Sequence, residues 1–491
     1  MDALAFEHHL NSPQGLGHRP PGCHTAVAGG HACCDEVALS VAVTGAAVAD
    51  AGFEAHGCGA CTAAASAAVT LVRGAAVLDA ARIGAAEIAA ELGGLSPAKE
   101  HAAQLAADAL ARALGAAVRE HAVLAPTEGR TLVAMSGGVD SAVAAHLCAR
   151  GGETVAVTLE LWSDEVGDAE RSCCSATAVA QARALAHRMG LAHLTLDLRP
   201  AFRAGVVDRF IAGWAAGETP NPCVRCNGHV RLDAMLTLAD RLGCSGGLAT
   251  GHYARVAEAG DPLGPLLRSA ADGAKDQTYM LAALAPDSLR RMRFPLGELH
   301  KPEVRELAAA AGLPVASKPD SQDLCFLAGT SREAFLARHG GIVDRTGELV
   351  DAAGKVLGHH AGQHRFTIGQ RHGLGLSAPR PLYVLARDAV SGRVTVGPRE
   401  RLRTDRVTLR AARLHRRGAR VDRVKLRYRT RPLRARVVGD PEPGAHRSLS
   451  IDLREAADGA APGQLACLMD GDLVVGWGTI DRPLAYRTAP E

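Results

Sequence analysis

The sequence predicts a multidomain chain: an α+β domain over residues 1–125, an α/β domain with a parallel sheet over 126–330, a small central domain over 331–400 and a C-terminal β-barrel over 401–491. Three observations carry this expectation. At 491 residues the chain is longer than one hydrophobic core normally serves. Residues 126–330 alternate apolar strands with helical runs, the pattern of β-α-β units with right-handed crossovers. Residues 401–491 break into short strand-like runs separated by turn signals, as in a small all-β barrel or sandwich.

The first domain is Ala-rich, with strand-like Val37-Ala38-Leu39-Ser40-Val41-Ala42-Val43 followed by amphipathic helices to about Val123. In the second, strands Thr131–Met135 and Thr154–Leu159 flank a helix from Ser141 to about Arg150. The central residues are Gly-rich with short elements, and no internal repeat is found. Apolar residues make up 47% and charged residues 22%, ordinary for a globular protein. No run of about 20 uninterrupted apolar residues is present, so no membrane association is expected. The N-terminus does not read as a signal peptide, and the cytoplasm is the expected location.

Net charge is +3 but uneven: residues 1–125 hold 6 Lys/Arg against 12 Asp/Glu, whereas residues 401–440 hold 15 Lys/Arg against 3 Asp. The alternation in Arg423-Val424-Lys425-Leu426-Arg427-Tyr428-Arg429 predicts a strand with its cations on one face. Such a block suits a phosphate backbone; the plainer reading is an Arg-rich surface. Thirteen cysteines are present, several in clusters at Cys33-Cys34, Cys58/Cys61, Cys173-Cys174 and Cys223/Cys226. In a reducing compartment these point to metal or redox chemistry rather than disulfides. Isolated Cys148, Cys244 and Cys467 read as small buried hydrophobes.

Ser136-Gly137-Gly138-Val139-Asp140-Ser141 follows a strand and opens a helix. Glycines allow close approach to phosphate, and the helix N-terminus offers unpaired N–H groups and a positive dipole. The Gly-Lys-Ser/Thr ending of a Walker A loop is missing. The string resembles the PP-loop of Rossmann-like ATP pyrophosphatases, which implies ATP held by Ala134, Met135, Ser136, Gly137, Gly138, Val139, Asp140 and Ser141, with Leu159 and Gly251 beside them.

Further strings follow in order: Asn221-Pro222-Cys223-x-x-Cys226-Asn227, Gly251-His252-Tyr253, Lys275-Asp276-Gln277-Thr278-Tyr279, Ser321-Gln322-Asp323-Leu324-Cys325-Phe326 and Thr367-Ile368-Gly369-Gln370-Arg371. Over about residues 128–491 they resemble the MnmA-type tRNA 2-thiouridylases. The resemblance implies a tRNA-uridine 2-sulfurtransferase using ATP and Mg²⁺, with AMP placed on the uridine 2-oxygen and then displaced by sulfur. It implies Cys325 as persulfide carrier, Cys226 as the nucleophile that frees the sulfur, and Asp140 as the group positioning Mg²⁺ and phosphate. Asn221, Pro222, Cys223, His252, Lys275, Asp276 and Gln277 would lie along the tRNA, with Arg427, Tyr428 and Gln464 from the C-terminal domain. The aromatic expected after Gln464 is absent from Ala466-Cys467-Leu468-Met469. Partners would be tRNA and a cysteine desulfurase or other sulfur-relay donor.

Attack by sulfur requires thiolates, and Arg225 and Lys318 are candidate cations for lowering the thiol pKa values. Cys223 adds a third thiol, so Cys223, Cys226 and Cys325 are also candidate ligands to three irons of an iron–sulfur cluster. A spare buried cysteine is the plain alternative. Residues 1–125 resemble an IscU/NifU-type iron–sulfur scaffold through Cys33-Cys34-Asp35, Gly57-Cys58-Gly59-Ala60 and Leu95-Ser96-Pro97-Ala98-Lys99-Glu100-His101. That implies iron or zinc ligands Cys33, Asp35, Cys58 and His101. The scaffold's third cysteine is Ala102 here, for which Cys61 or Cys34 could substitute; a degenerate docking domain is the rival. Two rivals to the enzyme reading are an iron–sulfur carrier that only binds tRNA and another adenylating ligase.

Overall fold

The computed structural model describes residues 3–29, 34–164, 175–258, 262–320 and 324–481. Cys33, Cys173, Cys174 and Ser321 to Asp323 lie outside them. The N-terminal part is an antiparallel sheet of His24–Gly29, Glu36–Thr44 and Ala47–His56, in that order. Helices Gly59–Val72 and Glu100–His121 pack on it. Both are Ala-rich on their buried sides, which lets backbones approach closely: ten of the 14 residues in Gly59–Val72 are buried.

The next part carries a five-stranded, wholly parallel sheet in the order Met292–Arg293, Leu248–Thr250, Thr131–Ala134, Thr154–Glu160, Ala192–Asp197. Every residue of Thr154–Glu160 is buried, as a strand covered on both faces requires. Helix Glu100–His121 serves this sheet as well as its own. A Cβ on Gly115 would lie 2.0 Å from the Thr195 carbonyl oxygen, so the helix touches strand Ala192–Asp197 backbone to backbone. Arg112 reaches both domains, donating to Glu160 Oε1 at 2.8 Å and to the Val27 carbonyl at 3.1 Å. Asp108 pairs with Arg183 beside it. The connection is pinned by Val123 N–H to Gly45 O at 2.9 Å and Leu124 N–H to Arg241 O at 2.9 Å.

Gly347–Val350, Val356–His360, Tyr383–Arg387 and Val394–Gly397 form a separate four-stranded sheet. It has its own core around Leu349, Phe366, Val384 and Val396. At the C-terminus, Arg403–Leu414, Gly444–Asp458, Leu433–Val437, Arg423–Lys425, Leu465–Asp470 and Leu473–Ile480 pair in turn. Leu473–Ile480 pairs back onto Arg403–Leu414, closing a six-stranded barrel. Arg255–Ala257 and Leu266–Arg268, from the α/β part, extend the barrel sheet beyond Leu473–Ile480.

The cation-faced strand expected over Arg423–Arg429 is corrected: it stops at Lys425, whose buried ammonium pairs with Asp276 at 3.3 Å. Many of the block's arginines meet acids, including Arg406 and Arg436 on Asp452, Arg410 on Glu218, Arg417 on Glu442 and Arg420 on Asp470. Carboxylates outside the 401–440 window therefore neutralise much of the charge that composition shows.

Gly115→Ala gives a test of the shared helix. On an open helix face this change would add about 1 kcal/mol of stability. Against Thr195 it is expected to destabilise by about 1–3 kcal/mol through overpacking, read by thermal or urea unfolding.

Candidate active site

Strand Thr131–Ala134 ends at the Met135–Gly138 loop, and helix Val139–Gly151 begins directly after it. Gly137 has φ +69°, a left-handed conformation that glycine adopts without strain. Gly251 follows the neighbouring strand, where a Cβ would sit 2.7 Å from the Ser141 nitrogen, so glycine lets that strand end abut the helix start. Ser141 Oγ accepts from the Ser136 N–H at 3.1 Å and donates to the Gly138 carbonyl at 3.0 Å, closing the loop. The first-turn N–H groups, with no intrahelical acceptors, suit an anion such as a nucleotide phosphate.

Lysines and carboxylates surround this loop. Lys301, the first residue of helix Lys301–Ala310, donates to Asp140 Oδ1 at 2.7 Å and Oδ2 at 2.9 Å and pairs with Asp320 Oδ1 at 2.8 Å. Lys275 takes the other Asp320 oxygen at 2.8 Å, and Lys318 donates to the Gly137 carbonyl at 3.0 Å. Tyr253 donates its hydroxyl to Asp140 Oδ1 at 2.9 Å. Burial opposes ionisation of Asp320, but the hydrogen bonds from Lys275 and Lys301 outweigh it and hold the carboxyl at about 2. Burial, reinforced by Asp140, pushes the Tyr253 phenol well above its usual range and keeps it a donor.

Loop and cysteines meet in one cavity of about 1340 Å³. Of the residues expected to hold ATP, all but Gly137 line it. Cys223 and Cys226 enter from helix Pro222–Cys226, capped by Asn221, whose Oδ1 accepts from the Cys223 N–H at 3.1 Å. A π-helical turn, Asn227–Arg231, continues the helix. Cys325 opens a short 3₁₀ turn, Cys325–Leu327, on the same cavity. Cys226 is buried, whereas Cys223 and Cys325 are half-buried. The three sulfurs are not among the groups of ligand atoms gathered within 4.8 Å in the described residues. That spacing suits one ion; a four-iron cube holds its thiolates further apart.

Pro222, His252, Lys275, Asp276, Gln277 and Tyr428 also line the cavity, while Asn221, Arg427 and Gln464 do not. Burial, then Arg231, pushes the His252 imidazole down to about 3, so it is neutral. Asp276 accepts from the Thr278 hydroxyl at 2.9 Å, and Gln277 Oε1 from the Tyr253 N–H at 3.0 Å, so both brace the fold. Gln464 Nε2 donates to the Thr219 carbonyl at 2.7 Å and Arg427 to the Gly459 carbonyl at 3.2 Å. Arg225, expected near the thiols, donates to the Gly205 carbonyl at 2.7 Å and is not on the cavity wall. Lys318, also expected there, is on that wall but bound to the nucleotide loop. Sequence reasoning missed Lys301 and Asp320. Lys301 carries only the local signal of a helix start, which says nothing of a partner 161 residues away.

A second group lies in the N-terminal part, where Asp35, Cys58, Cys61 and His101 bring one ligand atom each within 4.8 Å. Cys58 Sγ is 3.2 Å from Asp35 Oδ2 and 3.8 Å from Cys61 Sγ; His101 Nε2 is 2.9 Å from Asp35 Oδ2. Gly57, at φ +120°, clears the Asp35 carboxylate, which a Cβ would meet at 2.0 Å. Hydrogen bonds from His101 and then the Cys58 N–H hold the Asp35 carboxyl at about 2. Cys61 thus supplies a thiol that Ala102, fully buried, cannot. Cys34 is exposed with φ +57° and is not in the group, and Cys33 lies outside the described residues.

Comparison with known proteins matches the same parts. Residues 5–121 match the NifU-like N terminal domain, 129–329 the tRNA methyl transferase HUP domain, 333–398 the tRNA methyl transferase PRC-barrel domain and 402–480 the aminomethyltransferase beta-barrel domain. A bifunctional protein NifU/MnmA of Rubrobacter xylanophilus is 43% identical over 489 residues, covering 96% of this chain and 97% of that one. The chain belongs to the MnmA family, fused to a NifU-like domain. Within that family, the tRNA-specific 2-thiouridylase MnmA of Acidithiobacillus ferrooxidans is 42% identical over 72% of this chain and 98% of its own. The Corynebacterium glutamicum member is 41% identical with the same coverages.

Lys301→Met removes the cation shared by Asp140 and Asp320, whose side chains are 31% and 23% exposed. A loss of about 2 kcal/mol at pH 7 is expected. Lys301 supplies one of the hydrogen bonds that hold the Asp320 carboxyl at about 2, a contribution fully present above the ordinary carboxylate value, so the deficit should shrink as pH falls from about 4 toward 2. Urea unfolding of both proteins across that range checks the sign.

Proposed function

We propose that the chain is a tRNA-uridine 2-sulfurtransferase that adenylates the wobble uridine with ATP and replaces its 2-oxygen by sulfur. The observation that carries this reading is the single cavity holding both the nucleotide loop and three cysteines. ATP phosphates would sit on the loop and the start of helix Val139–Gly151, with Lys301, Lys275 and Lys318 exchanging their carboxylate and carbonyl partners for phosphate oxygens. Mg²⁺ would lie with Asp140, a carboxylate in reach of those phosphates. The uridine 2-oxygen attacks the α-phosphorus, pyrophosphate leaves, and sulfur attack at C2 then expels AMP with the old oxygen.

Cys223, Cys226 and Cys325 would hold three irons of a four-iron cluster, which when bound offers a sulfide on its fourth iron as the sulfur source. The rival route needs two of them: Cys325 carries the sulfane sulfur and Cys226 attacks to free it, leaving a Cys226–Cys325 disulfide for a reductant. Asp35, Cys58, Cys61 and His101 would bind iron or zinc as the scaffold site. A cysteine desulfurase or sulfur-relay protein would supply sulfur.

Incubated with unmodified tRNA, ATP, Mg²⁺ and a sulfur source, the sulfur-loaded protein is expected to yield 2-thiouridine on nucleoside analysis. Asp140→Ala should abolish adenylation and leave tRNA affinity nearly unchanged. Folded, loaded protein giving no 2-thiouridine would overturn the assignment.

Cys223→Ser separates the sulfur routes. Reconstituted and assayed without oxygen, it should lose the catalytic domain's iron and at least tenfold in thiolation rate. Full activity with no iron in that domain would return the site to persulfide transfer.

A further inference from the structure

We propose that His24, Glu120 and His121 form a separate site for a divalent ion of the zinc class. His24 opens the first strand, and Glu120 and His121 end helix Glu100–His121. His24 Nε2 lies 3.3 Å from His121 Nε2 and 3.2 Å from Glu120 Oε2, and one ligand atom from each of the three lies within 4.8 Å of the others. A tetrahedral ion with bonds of about 2.0–2.1 Å has ligand-to-ligand edges of about 3.3 Å. Two edges of that tetrahedron are therefore at bonding length before any ion arrives. The third, His121 Nε2 to Glu120 Oε1 at 4.0 Å, closes by rotation of an exposed glutamate.

Two further features point the same way. Consecutive helix residues normally project in different directions, yet Glu120 and His121 both converge on His24. The group also sits at a helix C-terminus, where the backbone dipole favours a cation. The side chains are 27%, 63% and 39% exposed, so an ion has access, and three protein ligands leave a fourth position open to water. The donor set is two imidazoles and a carboxylate, without the thiols of the Asp35/Cys58/Cys61/His101 group. That group is at the other end of the same helix, about 30 Å away by helix rise, so the two sites are distinct. A bound ion would clamp the first strand to the helix end.

The test uses the full chain stripped of metal and titrated with Zn²⁺ by calorimetry and with Co²⁺ by visible absorption. Cys58→Ser is expected to retain a micromolar Zn²⁺ equivalent whose Co²⁺ form shows d–d bands without thiolate charge transfer at this site. His24→Ala/His121→Ala should lose that one equivalent while keeping the metal-free melting temperature, and Glu120→Gln should weaken it about tenfold. Equal stoichiometry in wild type and the double variant would overturn the proposal. So would millimolar affinity, which marks an adventitious ion only.

Discussion

Helix Glu100–His121 is buried from two sides, and the relation between the two halves of the chain follows from that constraint. Alanines at 102, 103, 106, 107, 109, 113 and 117, all at most 1% exposed, leave little side chain between backbone and neighbours. Gly115 removes even the Cβ where Thr195 passes. Close packing of this kind fixes the rotation and the height of the helix. Arg112 on Glu160, 17% and 4% exposed, adds a directional lock. Two buried charges contribute little net stability, but leaving one unpaired is costly, so alternative dockings are penalised.

The same contacts set the helix direction. Gly115 meets the middle of a strand, and Arg112 meets Glu160, the last residue of Thr154–Glu160. Toward its N-terminus the helix therefore runs out past the C-terminal edge of the parallel sheet. His101 is eleven residues, about 16 Å, further on. That edge is also where Ser136 to Ser141 open the cavity, as ligand sites of open parallel sheets do. The thiol-bearing group and the cavity that Cys223, Cys226 and Cys325 line thus belong to one side of the molecule. The NifU-like part is docked there by packing and ion pairs.

Much of this was legible in the sequence, and the gaps have a common cause. The β-α-β alternation, the loop after Thr131–Ala134 and the short C-terminal strands announce themselves because period and turn chemistry are local. The cysteine strings were readable for the same reason, and helix spacing offered Cys61 beside Cys58 while leaving Cys34 as the alternative that the folded chain does not gather. Lys301 on Asp140 and Lys425 on Asp276 were not readable, since each joins distant segments through side chains whose local setting is unremarkable. Charge counting overstates the 401–440 block because a window along the chain ignores the acids that the barrel brings across from elsewhere, such as Asp452 and Asp470. The expected tRNA contacts Asp276, Gln277 and Gln464 have their carboxylate or carboxamide groups bonded within the fold.

The electrostatics of the cavity follow from this bracing. Lys301 and Lys275 are committed to Asp140 and Asp320, so the cations needed for a polyanion are already in place and compensated. On the proposed reading, a nucleotide would compete with Asp320 for Lys275 on the cavity wall. The far wall is held as firmly. Tyr279 donates to the Leu465 carbonyl at 2.7 Å, the Thr219 N–H to the Pro462 carbonyl at 2.8 Å, and Arg410 pairs with Glu218. Tyr428 reaches the cavity from the barrel across that seam. On the proposed reading, the target base would have to leave its stack to enter between these braced walls. Extruding a base costs a few kcal/mol in a duplex and less in a single-stranded loop. That cost would favour bases that are already unpaired.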